Sequence, residues 1–418
     1  MPRRHFKLTP VSQVAEHVVT DPAQMAGCLD HIAESPVIGF DTEFVGEESF
    51  RPELCLIQVS TAERLFVIDP YEVGPLDDFW KLLLDPDRVV VMHAAREDIR
   101  ICFFQCGSPP ANVFDVQVAA GLVGLTFPIG YGGLVNELLG QRMTKGETLT
   151  DWRRRPLLPA QMRYAFDDVR YLIPAWKKLS EKLKRLKRVD WAAEEFATGI
   201  RKAIGGEDAA AEKWRKVNGI GGLERRQLAV VRELFAWREA FAERVNRPPR
   251  QLLRDDILAE ISRRGPTKHE DLSAYRGVPR SEIDRILDAV RRAKALPSDQ
   301  WPIPEAREND PPNIVMLGSL LGVVLADWCT RNRLAANLVG SASDLRAVVR
   351  NRVLGEPLGD VPLARGWRAA AVLIELQAIL DGKHAVCVAN PTAAAPLAFF
   401  PVATPLQIVS PGGGEDRV

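Results

Sequence analysis

The chain has no net charge to offer. Its 55 lysines and arginines balance 55 acidic residues, so any case for a polyanionic partner rests on local charge alone. Cysteine is scarce, with six residues scattered at positions 28, 55, 102, 106, 329 and 387. That scatter argues against a disulfide framework. Cys102 and Cys106 lie one helical turn apart, but no histidine or second cysteine pair stands by to complete a zinc site. The thiols read as reduced, which suits the cytoplasm. No apolar run approaches the roughly 20 residues of a membrane helix, so no membrane partner is expected. The start, MPRRHFKLTPVSQVAEHVV, is basic but lacks the apolar core of a signal peptide. Ala393–Leu406 is apolar, yet prolines interrupt it.

What is present begins with size: 418 residues predict two to three domains. The stretch Val37–Phe44, VIGFDTEF, reads as a buried strand bounded by a proline and by charge. Residues two apart in a strand share a face, so Asp41 and Glu43 project side by side. Carboxylates held that close repel unless a cation sits between them. A solvated strand end is the plainer alternative. Leu54–Ser60 and Leu65–Asp69 read as two further strands of an antiparallel meander, and Val89–Met92 as a short central strand. After it, Asp98 falls in the first turns of a helix, at the sheet edge where open α/β sheets bind ligands. A helix-dipole effect would also account for an acid there.

A short strand over Val113–Val116 and a helix through Gly121 follow, and GYGG at 130–133 breaks the chain before a helix over Leu134–Leu139. Residues 141–158 are polar and basic, with Lys145, Arg153, Arg154 and Arg155 around Trp152. Such a cluster is either a solvated loop or a grip on phosphates and a base. From Pro159 a long helix places Tyr164 and Asp168 on one face, four residues apart. Leu172 continues that stripe, and Pro174 is expected to interrupt it.

Taken together, Asp41-x-Glu43, Asp98 and Tyr164-x-x-x-Asp168 resemble the three motifs of the DEDD superfamily of 3′–5′ exonucleases, in the variety with tyrosine in the third. VIGFDTEF, LCLIQVS, HAAREDI, FDVQVAAGL, TDWRRRPL and YAFDDVRYL resemble the ribonuclease D family across residues 15–190. The resemblance implies an RNase H-like α/β domain with a mixed sheet of five to six strands. It also implies two divalent metal ions, Mg²⁺ or Mn²⁺, held by Asp41, Glu43, Asp98 and Asp168. Asp41 would bridge them. Glu43 and Asp168 would complete the site that binds the attacking water, Asp98 would support the second ion, and Tyr164 would orient that water. A tyrosine of ordinary pKa near 10 is a poor base at neutral pH, which favours orientation over proton abstraction. Asp167 points about 100° away around the helix and is left out. Phe44 and Gln58 are candidates to line the cleft around a terminal nucleotide. His93 either contacts substrate or caps its strand. Lys145, Trp152 and Arg153 are candidates for the approach path of RNA.

The second half is helical. Lys177–Arg188 is a basic helix. Val189–Glu212 starts helical and turns Gly/Asp/Ala-rich. Helices follow over Arg225–Val245, Asp255–Arg264 and Ser281–Ala293. LFAWREAFAERVNRPPRQLLRDDILAEISRRGP resembles an HRDC domain. Residues 212–296 hold 20 lysines and arginines against 13 acidic residues, a face suited to RNA. Asn313–His384 reads as helical, and Leu334–Val353 and Gly366–Gly382 resemble a second, more divergent HRDC-like domain. The expected division is an exonuclease domain at 1–190, a linker at 191–211, HRDC at 212–296, a linker at 297–312, a second helical domain at 313–390, and a partly disordered tail at 391–418.

The expected activity is a metal-dependent 3′–5′ exoribonuclease that trims transfer RNA precursors and other small structured RNAs from a single-stranded 3′ end, releasing nucleoside 5′-monophosphates. No obligatory protein partner is inferred, and a cytoplasmic monomer is expected. The alternatives are a 3′–5′ DNA exonuclease and a non-catalytic RNA-binding adaptor that keeps the fold.

Overall fold

The computed structural model describes residues 10, 13–143, 150–205, 212–304, 310–359 and 361–402. In chain order the main elements begin with β1 (Ala15–Val19), α1 (Pro22–Ala33), β2 (Val37–Val45), β3 (Glu53–Ser60) and β4 (Arg64–Ile68). Next come α2 (Asp77–Leu83), β5 (Val89–Met92), α3 (Arg96–Cys106), β6 (Val113–Asp115), α4 (Val116–Leu122) and α5 (Tyr131–Leu139). Then follow α6 (Pro159–Arg170), α7 (Leu172–Arg185), α8 (Val189–Ile204), α9 (Arg225–Val245), α10 (Asp255–Arg264), α11 (Ile283–Ala295), α12 (Pro312–Asn332) and α13 (Ala342–Leu354). The last described elements are β7 (His384–Val388) and β8 (Leu397–Pro401). It packs into two compact units, one within 1–114, 144–173 and 197–307, the other within 115–143, 174–196 and 308–418.

The first unit holds a mixed six-stranded sheet in the order β1-β4-β3-β2-β5-β6. The expected meander is there: β3 runs antiparallel to both β2 and β4. Strand β5 is parallel to β2 but pairs only with Val37–Gly39, so β2 runs on beyond its neighbour. Alternation sorts the side chains. Ile38, Phe40, Ile57, Val59, Phe66 and Ile68 join one core with Met25, Ile32, Phe79, Leu83, Ile99 and Cys102. Asp41, Glu43 and their cross-strand partners face the other way. There α6 lies against β2, β3 and β4. Strand β1 pairs parallel to β4 at the edge of the sheet.

The same unit contains a helical bundle built on α9, α10 and α11, with a core of Leu228, Val231, Leu234, Leu258, Ile261, Ile286 and Val290. Its buried Arg238–Asp255 pair, at 2.7 Å, is completed by Arg238 donating to the Leu253 carbonyl. Arg51, on the loop after β2, reaches this bundle. Its guanidinium pairs with Glu243 at 2.6 Å, and its backbone N–H donates to Asn246 Oδ1 at 3.0 Å.

In the second unit Trp191 stacks on Trp367 with centroids 4.4 Å apart. Arg188 donates to the carbonyls of Leu122, Asn332 and Arg333. Arg346 and Arg350 share Asp310.

Several elements depart from the sequence reading. The helix expected at Leu134 starts at Tyr131 and takes Gly132 and Gly133 into its first turn. The α6/α7 break falls at Tyr171, three residues before Pro174. Proline excludes the carbonyl four residues back, that of Arg170, from helical bonding, and Arg170 is where α6 ends. Helix α8 occupies much of the expected 191–211 linker. Helix α12 is long and apolar enough, by length and composition, to cross a membrane, where the sequence reading sees no such run. Its Ile314, Leu321, Val324 and Leu325 are buried. The region expected to end as helix and tail instead forms the β7–β8 hairpin. The Gly412–Gly414 tail and Lys145 lie outside the described residues. All six cysteines are free thiols.

Candidate active site

The site is built where β2 outruns β5. Gly39, Asp41 and Glu43 share one strand face, and a β-bulge between Glu43 and Phe44 ends the regular ladder. Gly39 is there for space rather than for its φ. A Cβ would overlap Ser60 Oγ and sit 2.9 Å from Leu172 Cβ. The missing side chain lets the α6–α7 junction close over the strand, which brings Asp168 onto the pair.

Asp41, Glu43 and Asp168 each place a carboxylate oxygen within 4.8 Å of the others. Burial pushes the Asp41 carboxyl well above the ordinary range, and the charges of Asp98, Asp168 and Glu43 add to it. Burial, then Asp98, pushes Glu43 up to about 8. Burial, then Glu43, Asp167 and Asp98, pushes Asp168 up to about 8. Asp168 Oδ2 is buried without a hydrogen-bond partner among the described residues. Several hard oxygens, each costly to ionise beside the others, suit a divalent cation.

Asp98 approaches this trio from α3, and its charge acts on Asp41 and Glu43. It lies in the first turn of α3, buried, and accepts a 2.6 Å bond from Thr42 Oγ1. Thr42 sits between the two β2 acids and points to the opposite face, toward α3. The sequence reading passed over Thr42. Its only signal was its place inside Asp-Thr-Glu.

Tyr164 donates its hydroxyl to Asp168. Burial, then the charges of Asp168, Glu43 and Asp41, raise its pKa further above the ordinary value, so it keeps its proton. Trp152 is 5% exposed, and its ring lies 6.0 Å from that of Tyr164. It braces the tyrosine rather than standing open as a surface platform for a base. Arg155 holds this loop down. It pairs with Asp69, donates to the carbonyls of Cys55 and Trp152 at 2.8 Å, and lies over the Tyr71 ring. Arg153 is exposed and paired with Asp151 and Glu48. Asp167 is turned away onto Arg170, as its helix angle implies.

The remaining candidates divide. Phe44 is half-buried against the core. His93 follows β5, partly exposed. Gln58 does not line an open cleft: it is the register partner of Asp41 and is 0% exposed.

Comparisons with known proteins agree with this geometry. A 3′–5′ exonuclease family model matches residues 17–184, and an HRDC domain model matches residues 227–292. The chain is 36% identical to ribonuclease D of Gluconacetobacter diazotrophicus over 372 residues, 88% of this chain and 93% of that one. It is 35% identical to ribonuclease D of Acidiphilium cryptum over 370 residues, 87% of this chain and 92% of that one. The crystal structure of Escherichia coli RNase D, an exoribonuclease involved in structured RNA processing, superposes with a TM-score of 0.75 at 26% identity, covering 88% of this chain and 99% of that one.

Proposed function

The chain belongs to the ribonuclease D family of 3′–5′ exoribonucleases, and from that premise we propose that it trims transfer RNA precursors and other small structured RNAs from single-stranded 3′ ends, using two divalent cations, Mg²⁺ or Mn²⁺. The observation that carries this is the meeting of Asp41, Glu43 and Asp168 oxygens within 4.8 Å beside an acid on α3. Bound cations would supply charge neutralisation at the attacking and leaving oxygens and a more acidic water.

The chain's own residues do the rest. Asp41, Glu43 and Asp168 would hold the cations. Asp98, fixed by Thr42, would support the second of them. Tyr164 keeps its proton and therefore orients the attacking water rather than deprotonating it. Trp152 holds the Tyr164 ring in place. Arg153 and Lys145 are proposed on the approach path of the strand, and Phe44 and His93 near the terminal nucleotide. The 20-to-13 excess of basic residues over 212–296 supports a second contact with RNA outside the catalytic domain. The two family matches fall inside the expected 1–190 and 212–296 segments and support that division. A cytoplasmic location is proposed on the six free thiols, and a monomer is proposed with it.

The test is a transfer RNA carrying a 3′ trailer, incubated beside a DNA strand of the same 3′ sequence. Stepwise shortening of the RNA to nucleoside 5′-monophosphates is expected. It should stop with a chelator and return with Mg²⁺ or Mn²⁺. Preferential digestion of the DNA would overturn the substrate assignment.

A further inference from the structure

The face that carries Asp41 also carries a strip of buried polar atoms. Gln58 Nε2 and Oε1 and Ser60 Oγ are all without hydrogen-bond partners among the described residues, as is Asp168 Oδ2 above them. Gln58 is 0% exposed and Ser60 1%. Register places them. Gln58 pairs with Asp41 and Ser60 with Gly39, and directly opposed residues of an antiparallel pair project to the same side, with Cβ atoms about 5 Å apart. The strip therefore runs beside the carboxylates and beneath α6.

An ordinary core does not tolerate this. Each buried polar group left unbonded is costly, and a strand of Leu54, Cys55, Leu56, Ile57 and Val59 had every apolar option at position 58. Gln161 shows what a structural glutamine looks like in this protein. It is 3% exposed, yet its Nε2 donates to Thr150 Oγ1 at 2.9 Å and its Oε1 accepts from the Leu158 N–H at 2.8 Å. Gln58 has the burial without the bonds. It is also too deep to touch a nucleotide.

We propose that Gln58 is a positioning residue of the catalytic site: its carboxamide N–H groups hold the Asp41 carboxylate in the metal-loaded protein, directly or through one enclosed water, with Ser60 as the donor to its carbonyl end. This deepens the metal-site reading above and rests on it. Outer partners of ligating carboxylates fix the geometry in which the ligand meets its ion, and losing one costs about 10–100-fold in metal affinity or activity. The role gives the buried carboxamide a partner, the metal-ligating carboxylate of its register partner Asp41.

The test uses Gln58→Met, close in volume and free of polar hydrogens, in the full-length protein. A glutamine kept only for packing should be replaced at a loss of stability and with no effect on metal. A positioning glutamine should show the reverse. The metal-free melting temperature should equal or exceed that of the wild type, because two unbonded groups are gone. Mn²⁺ binding, followed by calorimetry without RNA, should weaken about tenfold or more, and the Mg²⁺ concentration for half-maximal activity should rise in step. The KM for RNA should be unchanged, since Gln58 does not reach substrate. Gln58→Asn, with the same group on a shorter arm, should recover part of the metal affinity. Wild-type Mn²⁺ affinity in Gln58→Met, or a fall in melting temperature that accounts for its lost activity, would overturn the proposal. Asp41→Asn run in parallel separates the two levels: if it binds Mn²⁺ and cleaves RNA normally, the metal-site reading itself fails. If only Gln58→Met behaves as wild type, the reading stands and the inference falls.

Discussion

Thr42 Oγ1 donates to Asp98 Oδ1 at 2.6 Å, tying the middle of the Asp-Thr-Glu strand to the first turn of α3. Both residues are buried, at 6% and 7% exposure. Thr42→Val keeps the shape and removes this donor to a buried carboxylate. The expected cost is about 1–3 kcal/mol in stability. Activity should drop at least as steeply, about tenfold or more, because Asp98 loses its orientation. Thr42→Ser should keep most of both. Melting curves and single-turnover cleavage rates on all three proteins measure it, and a fully active Thr42→Val would remove Asp98 orientation from the account.

The repulsion among the carboxylates makes a prediction that separates stability from activity. Asp41 is pushed up by burial and by three neighbouring acids, so its charge opposes folding when no cation is present. Asp41→Asn should raise the melting temperature in chelator while abolishing cleavage. The wild type should gain more from added Mn²⁺ than the variant does. A variant that melts lower than the wild type in chelator would show that the trio is not strained.

The same groups set a pH dependence. Glu43 rises from 4.5 to about 8 and Asp168 from 3.8 to about 8 on folding. Between those limits the folded protein binds more protons than the unfolded chain, so stability falls as pH rises. Metal-free protein should therefore lose melting temperature steadily from about pH 4.5 to about pH 8 and level off above. Cations need the deprotonated ligands, so the gain on adding Mg²⁺ should be larger at pH 8 than at pH 5. Thermal scans in a chelator series check the first point, and the same scans with Mg²⁺ check the second.

How much of this was legible beforehand follows from the range of each interaction. Asp41 and Glu43 could be paired because a strand has a period of two, and Tyr164 and Asp168 because a helix returns after four residues. Both are local facts. The bond between Thr42 and Asp98 spans 56 positions and leaves no periodic trace. Gln58 was visible as a polar residue in an apolar strand, but its depth depends on α6 closing over it from a hundred positions away. Trp152 read as a surface aromatic because the residues around it are basic. Arg155 turns inward onto Asp69 and buries its neighbour instead. The β7–β8 hairpin hid behind prolines, which sit at its ends and turn rather than breaking its ladder.

Gly39 offers the closing test, because its place in VIGFDTEF has a purely steric reason. Its φ is unremarkable, so alanine meets no backbone penalty there. The difficulty is room: the new methyl would overlap Ser60 Oγ and press on Leu172 Cβ at 2.9 Å and Cδ1 at 3.1 Å. Leu172 opens α7, directly after the junction that positions α6, so the strain passes to the helix bearing Tyr164 and Asp168. Overpacking of this kind costs about 1–3 kcal/mol. Gly39→Ala should therefore melt lower and cleave more slowly, both through displaced Asp168. Adding Ser60→Ala removes one of the two obstructions, and the pair should be less destabilised than the sum of the singles. Cleavage should stay impaired in the double variant, since Leu172 still has to move. Strict additivity of the two substitutions in melting experiments would show that the β2–β3 approach is looser than the structure makes it.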